Sequence, residues 1–338
     1  RPVDGGVGVM NRRPRAWAAM VAALVVVTAM AGCDGSGATT AGAVRVVATT
    51  TVLGDVIGQV VTCAGGTTKT LLPVGADPHD FSASSADVTA MVKADLVVAN
   101  GLDLEEGLKD TLASAKKDGA KVFEVAPKLD PLPFGDADHD GEAGHSPAAD
   151  PSGDAGQHEH GSQDPHVWLD AARMATAARL VAAELGRITK DPQTFERCGN
   201  TTAEQLINLD AEIRKTLETV PAERRVLITD HEAFGYFAKV YGYQVAGVVV
   251  PGGSTLATPS SAEIAALVGV IRDKKVSVVF SNAALSTTLV DTVAKEAGAQ
   301  VKVVRLFVES VGKPGSGAET YQGMMRTNAT RIADALKG

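Results

Sequence analysis

The chain has 338 residues, 45% hydrophobic, 21% charged and 4% aromatic, a profile that excludes a disordered or fibrous protein. Its length accommodates about two domains with sizeable cores. A net charge of −8, from 40 acids against 32 Lys and Arg, argues against a nucleic-acid partner, which needs a basic surface, and suits a metal cation better.

Residues 1–9 precede the first methionine, show no pattern and are set aside as an over-extended reading frame or a cloning remnant. From Met10 the chain runs through Arg12, Arg13 and Arg15 into the apolar stretch Ala16 to Ala31, which reads as a secretory signal within residues 1–32. The stretch falls short of the ~20 apolar residues of a membrane-spanning helix. Its end, Met30-Ala31-Gly32-Cys33, resembles a bacterial lipoprotein signal. That resemblance implies acylation of Cys33 and a lipid anchor on the outer face of the cytoplasmic membrane; the alternative is a plain signal peptide cleaved nearby. Gly, Ser, Ala and Thr dominate the residues after Cys33, so 33–43 reads as a flexible tether.

From there strands and helices alternate. Val44 to Thr50 is a β-branched buried strand, and Leu53 to Val61 has helical spacing. Thr67 to Leu72 is a strand, Ser84 and Asp87 open a helix as a capping box, Leu96 to Ala99 is a strand, Leu104 to Ala115 a helix and Val122 to Val125 a strand. This order implies a parallel sheet covered on both faces, in a first lobe spanning 44–192. Between Gly135 and Asp164 the alternation stops. That segment has eight acids, no Lys or Arg, and His139, His145, His158 and His160, and reads as a loop that buries no core.

Ala171 to Leu185 is helical. Gln193 to Thr219 keeps apolar residues at helical spacing over a length that would span ~40 Å, enough for one long rigid helix joining two lobes. The alternation then restarts, giving a second α/β lobe over 220–338: strand Val226 to Thr229, helix Ala233 to Tyr241, strand Gln244 to Val250, helix Ser261 to Arg272, strand Val276 to Phe280, helix Ser286 to Ala297, strand Val301 to Phe307 and helix Ala318 to Leu336. Besides Cys33 the cysteines are Cys63 and Cys198, compatible with two buried thiols or, as export favours, with a disulfide from the first lobe to the start of the long helix.

The seven histidines are the most informative residues. Four lie in the acidic loop; the others sit in Asp77-Pro78-His79, Asp164-Pro165-His166-Val167-Trp168 and Asp230-His231-Glu232, none inside a helical pattern. His79 and His231 follow strands in different lobes, where open α/β sheets bind ligands, and a shared cleft would bring them together. Each alone would more often be a hydrogen-bonded structural histidine; two Asp-Pro-His tripeptides weaken that reading.

These motifs, the element order around them and the long helix resemble the solute-binding lipoproteins of zinc and manganese ABC importers, the cluster A-I type, over residues 44 to 338. The resemblance implies two α/β lobes joined by one long helix with a divalent metal buried in the cleft, and delivery of that metal to a membrane permease by a monomer. It assigns His79, His166 and His231 as the first three ligands. The family's fourth ligand is usually an Asp, at a position held here by Glu309 in Leu306-Phe307-Val308-Glu309-Ser310. The extra methylene leaves Glu309 or a water to complete the site. Three imidazoles and a carboxylate suit Zn²⁺; manganese-selective relatives resemble a site with a carboxylate in place of His231, and Mn²⁺ is the alternative cargo. The His-rich loop resembles one that collects metal in zinc-binding members, against the plainer reading of a solubilising surface loop. A zinc hydrolase is the competing class, weakened by the lack of a His-Glu-x-x-His helix or a second motif supplying a general base. An adhesin is a third reading.

Overall fold

The computed structural model describes residues 43–134, 163–298 and 300–337. The secretory signal, Cys33 and most of the tether lie outside them, as do His139, His145, His158 and His160. No helix among the described residues is long and apolar enough to cross a membrane.

The first sheet consists of β1 (Arg45–Ala48), β2 (Thr67–Thr70), β3 (Leu96–Ala99) and β4 (Val122–Glu124), all parallel, in the order β2-β1-β3-β4. Helices α1 (Thr51–Cys63), α2 (Ser85–Lys93) and α3 (Lys109–Lys117) make the crossovers. After them come α4 (Ala171–Thr189) and α5 (Pro192–Leu217). The second sheet repeats the topology with β5 (Val226–Thr229), β6 (Gln244–Val248), β7 (Val278–Asn282) and β8 (Lys302–Leu306) in the order β6-β5-β7-β8. Its helices are α6 (Gly235–Tyr241), α7 (Ser261–Asp273) and α8 (Thr288–Ala297), and α9 (Tyr321–Leu336) closes the chain. Chain order reverses between β1 and β3 in one sheet and between β5 and β7 in the other, the places where α/β sheets open a crevice at their carboxyl ends.

Several elements begin later than their apolar pattern suggests, each for a local reason. The helix expected from Leu104 starts at Lys109 behind a 3₁₀ turn, Glu106–Leu108. Leu102 and Asp103 take left-handed backbone there, and the Glu105 carboxylate turns back to accept the N–H groups of Asn100 and Gly101. The strand expected from Val276 starts at Val278, because the Val276 N–H bonds to the Ile271 carbonyl in closing α7. The last helix starts at Tyr321 and not Ala318, since Thr320 is its cap, accepting from the Gly323 N–H.

Side-chain alternation sends the two faces of each strand to different cores. Val46, Ala48, Leu96 and Val98, with Leu227, Val278 and Phe280, join a single large cluster together with α1, α4, α5 and α9. Val47 and Val97 point to a smaller cluster under α2 and α3, and Ile228 and Val279 to another under α7 and α8. The two lobes therefore share their main core, which stiffens their junction. Helix α5 carries an Asp191 cap, Pro192 at its first position and a buried stripe from Phe195 to Leu217. A disulfide joins Cys63 at the end of α1 to Cys198 near the start of α5, with Cα atoms 5.7 Å apart.

Gly199 lies where α5 meets α4, and a Cβ there would come within 2.5 Å of the Ala182 Cβ. Alanine gains about 1 kcal/mol of helix propensity over glycine, but overpacking a tight helix contact costs about 1–3 kcal/mol. We expect Gly199→Ala to be destabilising by about 1 kcal/mol in urea unfolding; a more stable variant would show that the helices separate freely.

Candidate metal centre

His79, His166, His231 and Glu309 meet in the cleft between the lobes although they come from four different segments. His79 lies in the loop from β2 to α2, His166 precedes a 3₁₀ turn at Val167–Leu169, His231 lies two residues beyond β5, and Glu309 three residues beyond β8. All four are buried, and one donor atom from each lies within 4.8 Å of every other. The ring centroids of the three histidines are 5.2 to 6.1 Å apart. A tetrahedral zinc with bonds of about 2 Å holds its donors roughly 3.3 Å from one another, so only a short contraction would be needed.

The local sequence explains how each ring is aimed. In both Asp-Pro-His tripeptides the aspartate accepts the histidine backbone N–H two residues on, at 3.0 Å for Asp77 and 2.9 Å for Asp164, while the proline restricts the intervening backbone. At the ring the two tripeptides diverge. Asp164 Oδ1 also meets His166 Nδ1 at 2.7 Å, whereas His79 Nδ1 meets Glu106 Oε1 at 3.2 Å and Asp77 turns to the Thr255 hydroxyl of the second lobe. His231 Nδ1 lies 2.9 Å from Asp230 Oδ1, and the other oxygen of Asp230 accepts the Asn282 N–H at the end of β7. Every ring thus has its Nδ1 against a carboxylate, which fixes its orientation and leaves Nε2 for the shared centre. Glu309 Oε1 is 2.9 Å from His231 Nε2 and 3.5 Å from His166 Nε2. The Nε2 atoms of His79 and His166 and Oε2 of Glu309 are buried with no hydrogen-bond partner, the atoms a metal ion would bind.

Other residues hold these carriers. Asn100, at the end of β3, donates from Nδ2 to the Pro165 carbonyl at 2.9 Å. The Tyr236 hydroxyl donates to the Asp164 carbonyl at 2.7 Å and accepts the Leu132 N–H at 2.9 Å. A Cβ on Gly235 would lie 2.7 Å from Asp164 Oδ2, so glycine is needed for this approach. Trp168 packs its ring 5.2 Å from His166 and donates from Nε1 to the Val308 carbonyl at 2.8 Å, joining the His166 turn to the segment that carries Glu309. Of these partners, Asp164 and Asp230 stand beside histidines in the sequence, but their acceptor role at the ring is not legible there. Glu106 and Asn100 had no local signal.

Electrostatics follows from this crowding. Burial opposes a charge on His231, yet Asp230 and Glu309 outweigh it and push its pKa up to about 10. His166 is raised in the same way, with burial outweighed by Glu309 and Asp164. Burial likewise opposes the Glu309 carboxylate, but the two imidazoles hold it well below the usual carboxylate range.

A pair of like α/β lobes around four buried side chains that could hold a metal ion is the build of a solute-binding protein for metal ions. The chain belongs to the ZnuA family, the zinc-uptake complex component A, periplasmic, which matches over residues 46–335. Relatives include the manganese-binding lipoprotein MntA of Bacillus subtilis, 29% identical over 330 residues that cover 94% of this chain and 98% of that one. The zinc-binding protein TroA of Treponema pallidum is 29% identical over 277 residues, 79% of this chain and 81% of its own. The solved structure of periplasmic TroA matches with a TM-score of 0.73 at 27% identity, over 88% of this chain and all of that one. The chain is the solute-binding component of a metal ABC transporter.

With His231 raised to about 10, the metal-free site carries a proton on that ring at neutral pH, and a metal must displace it. Affinity should therefore rise with pH across the range from 6 to 8, with at least one proton released per metal bound. Calorimetry in buffers of different ionisation enthalpy measures this; heats independent of the buffer would contradict it.

Proposed function

We propose that this protein captures Zn²⁺ outside the cytoplasm and hands it to the membrane permease of an ABC importer, with His79, His166, His231 and Glu309 as the four ligands. The observation that carries the choice of metal is the donor set, three imidazole nitrogens and one carboxylate within 4.8 Å of one another. Nitrogen-rich tetrahedral sites suit Zn²⁺, whereas Mn²⁺ prefers more oxygen donors. Identity does not choose, because relatives named for manganese and for zinc are equally distant at 29%. Four protein donors also leave no position for the exchangeable water that a zinc hydrolase needs, which favours carriage over catalysis.

In this reading the protein acts as a monomer. Cys33 carries the lipid anchor and the following residues form the tether that keeps the protein beside its permease. The histidines at 139, 145, 158 and 160 serve as accessory collectors that are dispensable for tight binding at the main site.

Metal content after purification without added metal, followed by competition between Zn²⁺ and Mn²⁺, tests the assignment. We expect zinc to co-purify and to displace manganese. His166→Ala should weaken zinc binding by about 100-fold or more, since the residues that merely hydrogen-bond to a metal ligand are typically worth 10–100-fold and this variant removes a ligand itself. Retention of zinc at wild-type affinity by His166→Ala, or preferential loading with manganese, would defeat this reading.

A further inference from the structure

Glu309 is a longer side chain than the aspartate expected at its position, and the hydrogen-bond and ion-pair partners of its carboxylate among the described residues are histidine rings alone. Its place is therefore set by the backbone that carries it. On one side, the Val308 carbonyl is held by Trp168 Nε1. On the other, the chain is held by two hydroxyls, one from each lobe. The Thr51 hydroxyl, in the first turn of α1, donates to Ser310 Oγ at 3.1 Å and accepts the Val311 N–H at 3.1 Å. Ser310 Oγ also accepts the Gly75 N–H at 2.8 Å and donates to the Val311 carbonyl at 2.9 Å. Gly75 has a φ of +85°, a conformation natural to glycine, and lies in the loop that carries His79. Thr51 and Ser310 are 6% and 4% exposed, so water does not compete for these bonds.

We propose that Thr51 and Ser310 form a hydroxyl clasp between the lobes that positions Glu309 for the metal. The fourth metal contact is then available only while the first lobe, through α1 and the His79 loop, stays docked on the segment after β8. Every bond in the clasp is between neutral groups and is individually weak, so the clasp can open without unfolding either lobe. Opening it withdraws Glu309 and leaves three histidines, a weaker site from which a metal leaves more readily. This inference rests on the metal-capture reading above and adds the pair of residues that couples lobe contact to metal release.

The test uses Thr51→Val, which keeps the side-chain shape and removes the hydroxyl, Ser310→Ala as an independent break, and Thr51→Ser as the variant that keeps the hydroxyl. Zinc dissociation into a chelator and the visible ligand-field spectrum of the Co²⁺-loaded protein are measured for each, alone and combined with Glu309→Gln. We expect Thr51→Val and Ser310→Ala to speed zinc dissociation about 10-fold, the low end of what supporting residues of a metal site deliver. Their Co²⁺ spectra should move toward that of Glu309→Gln, with no further acceleration in the double variants, and Thr51→Ser should behave as wild type. Wild-type dissociation and spectrum in both hydroxyl-deleted variants would overturn the clasp, as would effects fully additive with Glu309→Gln. Retention of zinc by His166→Ala would instead overturn the metal-capture reading itself.

Discussion

The constraint on which this structure depends is the burial of a carboxylate among three imidazoles. Glu309 is 1% exposed, and taking an ion out of water is costly unless partners replace its hydration. Here the partners are His166 and His231, and those rings are themselves anchored by further acids. Asp164, Asp230 and Glu106 hold the Nδ1 atoms of His166, His231 and His79 in turn. Four carboxylates therefore face three imidazoles, and all of these side chains are buried except the partly exposed Glu106. A proton on His231 offsets part of this negative charge, and a divalent cation that displaces that proton offsets more of it.

Such an arrangement needs a scaffold that does not relax. The repeated strand order places the reversal points of the two sheets, β1/β3 and β5/β7, at the cleft, and residues at or shortly after the strand ends supply the anchors: Thr51 and Asn100 in one lobe, Asp230 and Asn282 in the other. Behind the cleft, α1, α4, α5 and α9 share one core with both sheets, and Tyr321 on α9 spans the junction. Its N–H donates to Asp55 on α1 and its hydroxyl to the Trp168 carbonyl. A common core disfavours wide hinge closure, whereas at the cleft rim the lobes are joined by a few hydrogen bonds.

The sequence by itself determined the fold class and pointed to the four candidate donors that the structure brings together. Two runs of alternating strands and helices are legible because apolar periodicity is a local property, and three histidines outside any helical pattern stand out because their Asp-Pro-His and Asp-His contexts span only a few residues. Element starts were less legible where a backbone turn overrode the pattern, as at Leu102 and Asp103 before α3. What only the tertiary structure decided is which acid holds which ring and what holds Glu309. Identical Asp-Pro-His tripeptides treat their rings differently because Glu106 reaches His79 from 27 residues away, and Thr51 meets Ser310 across 259 residues. Such pairings depend on how two lobes pack, and no periodicity or spacing along the chain encodes them.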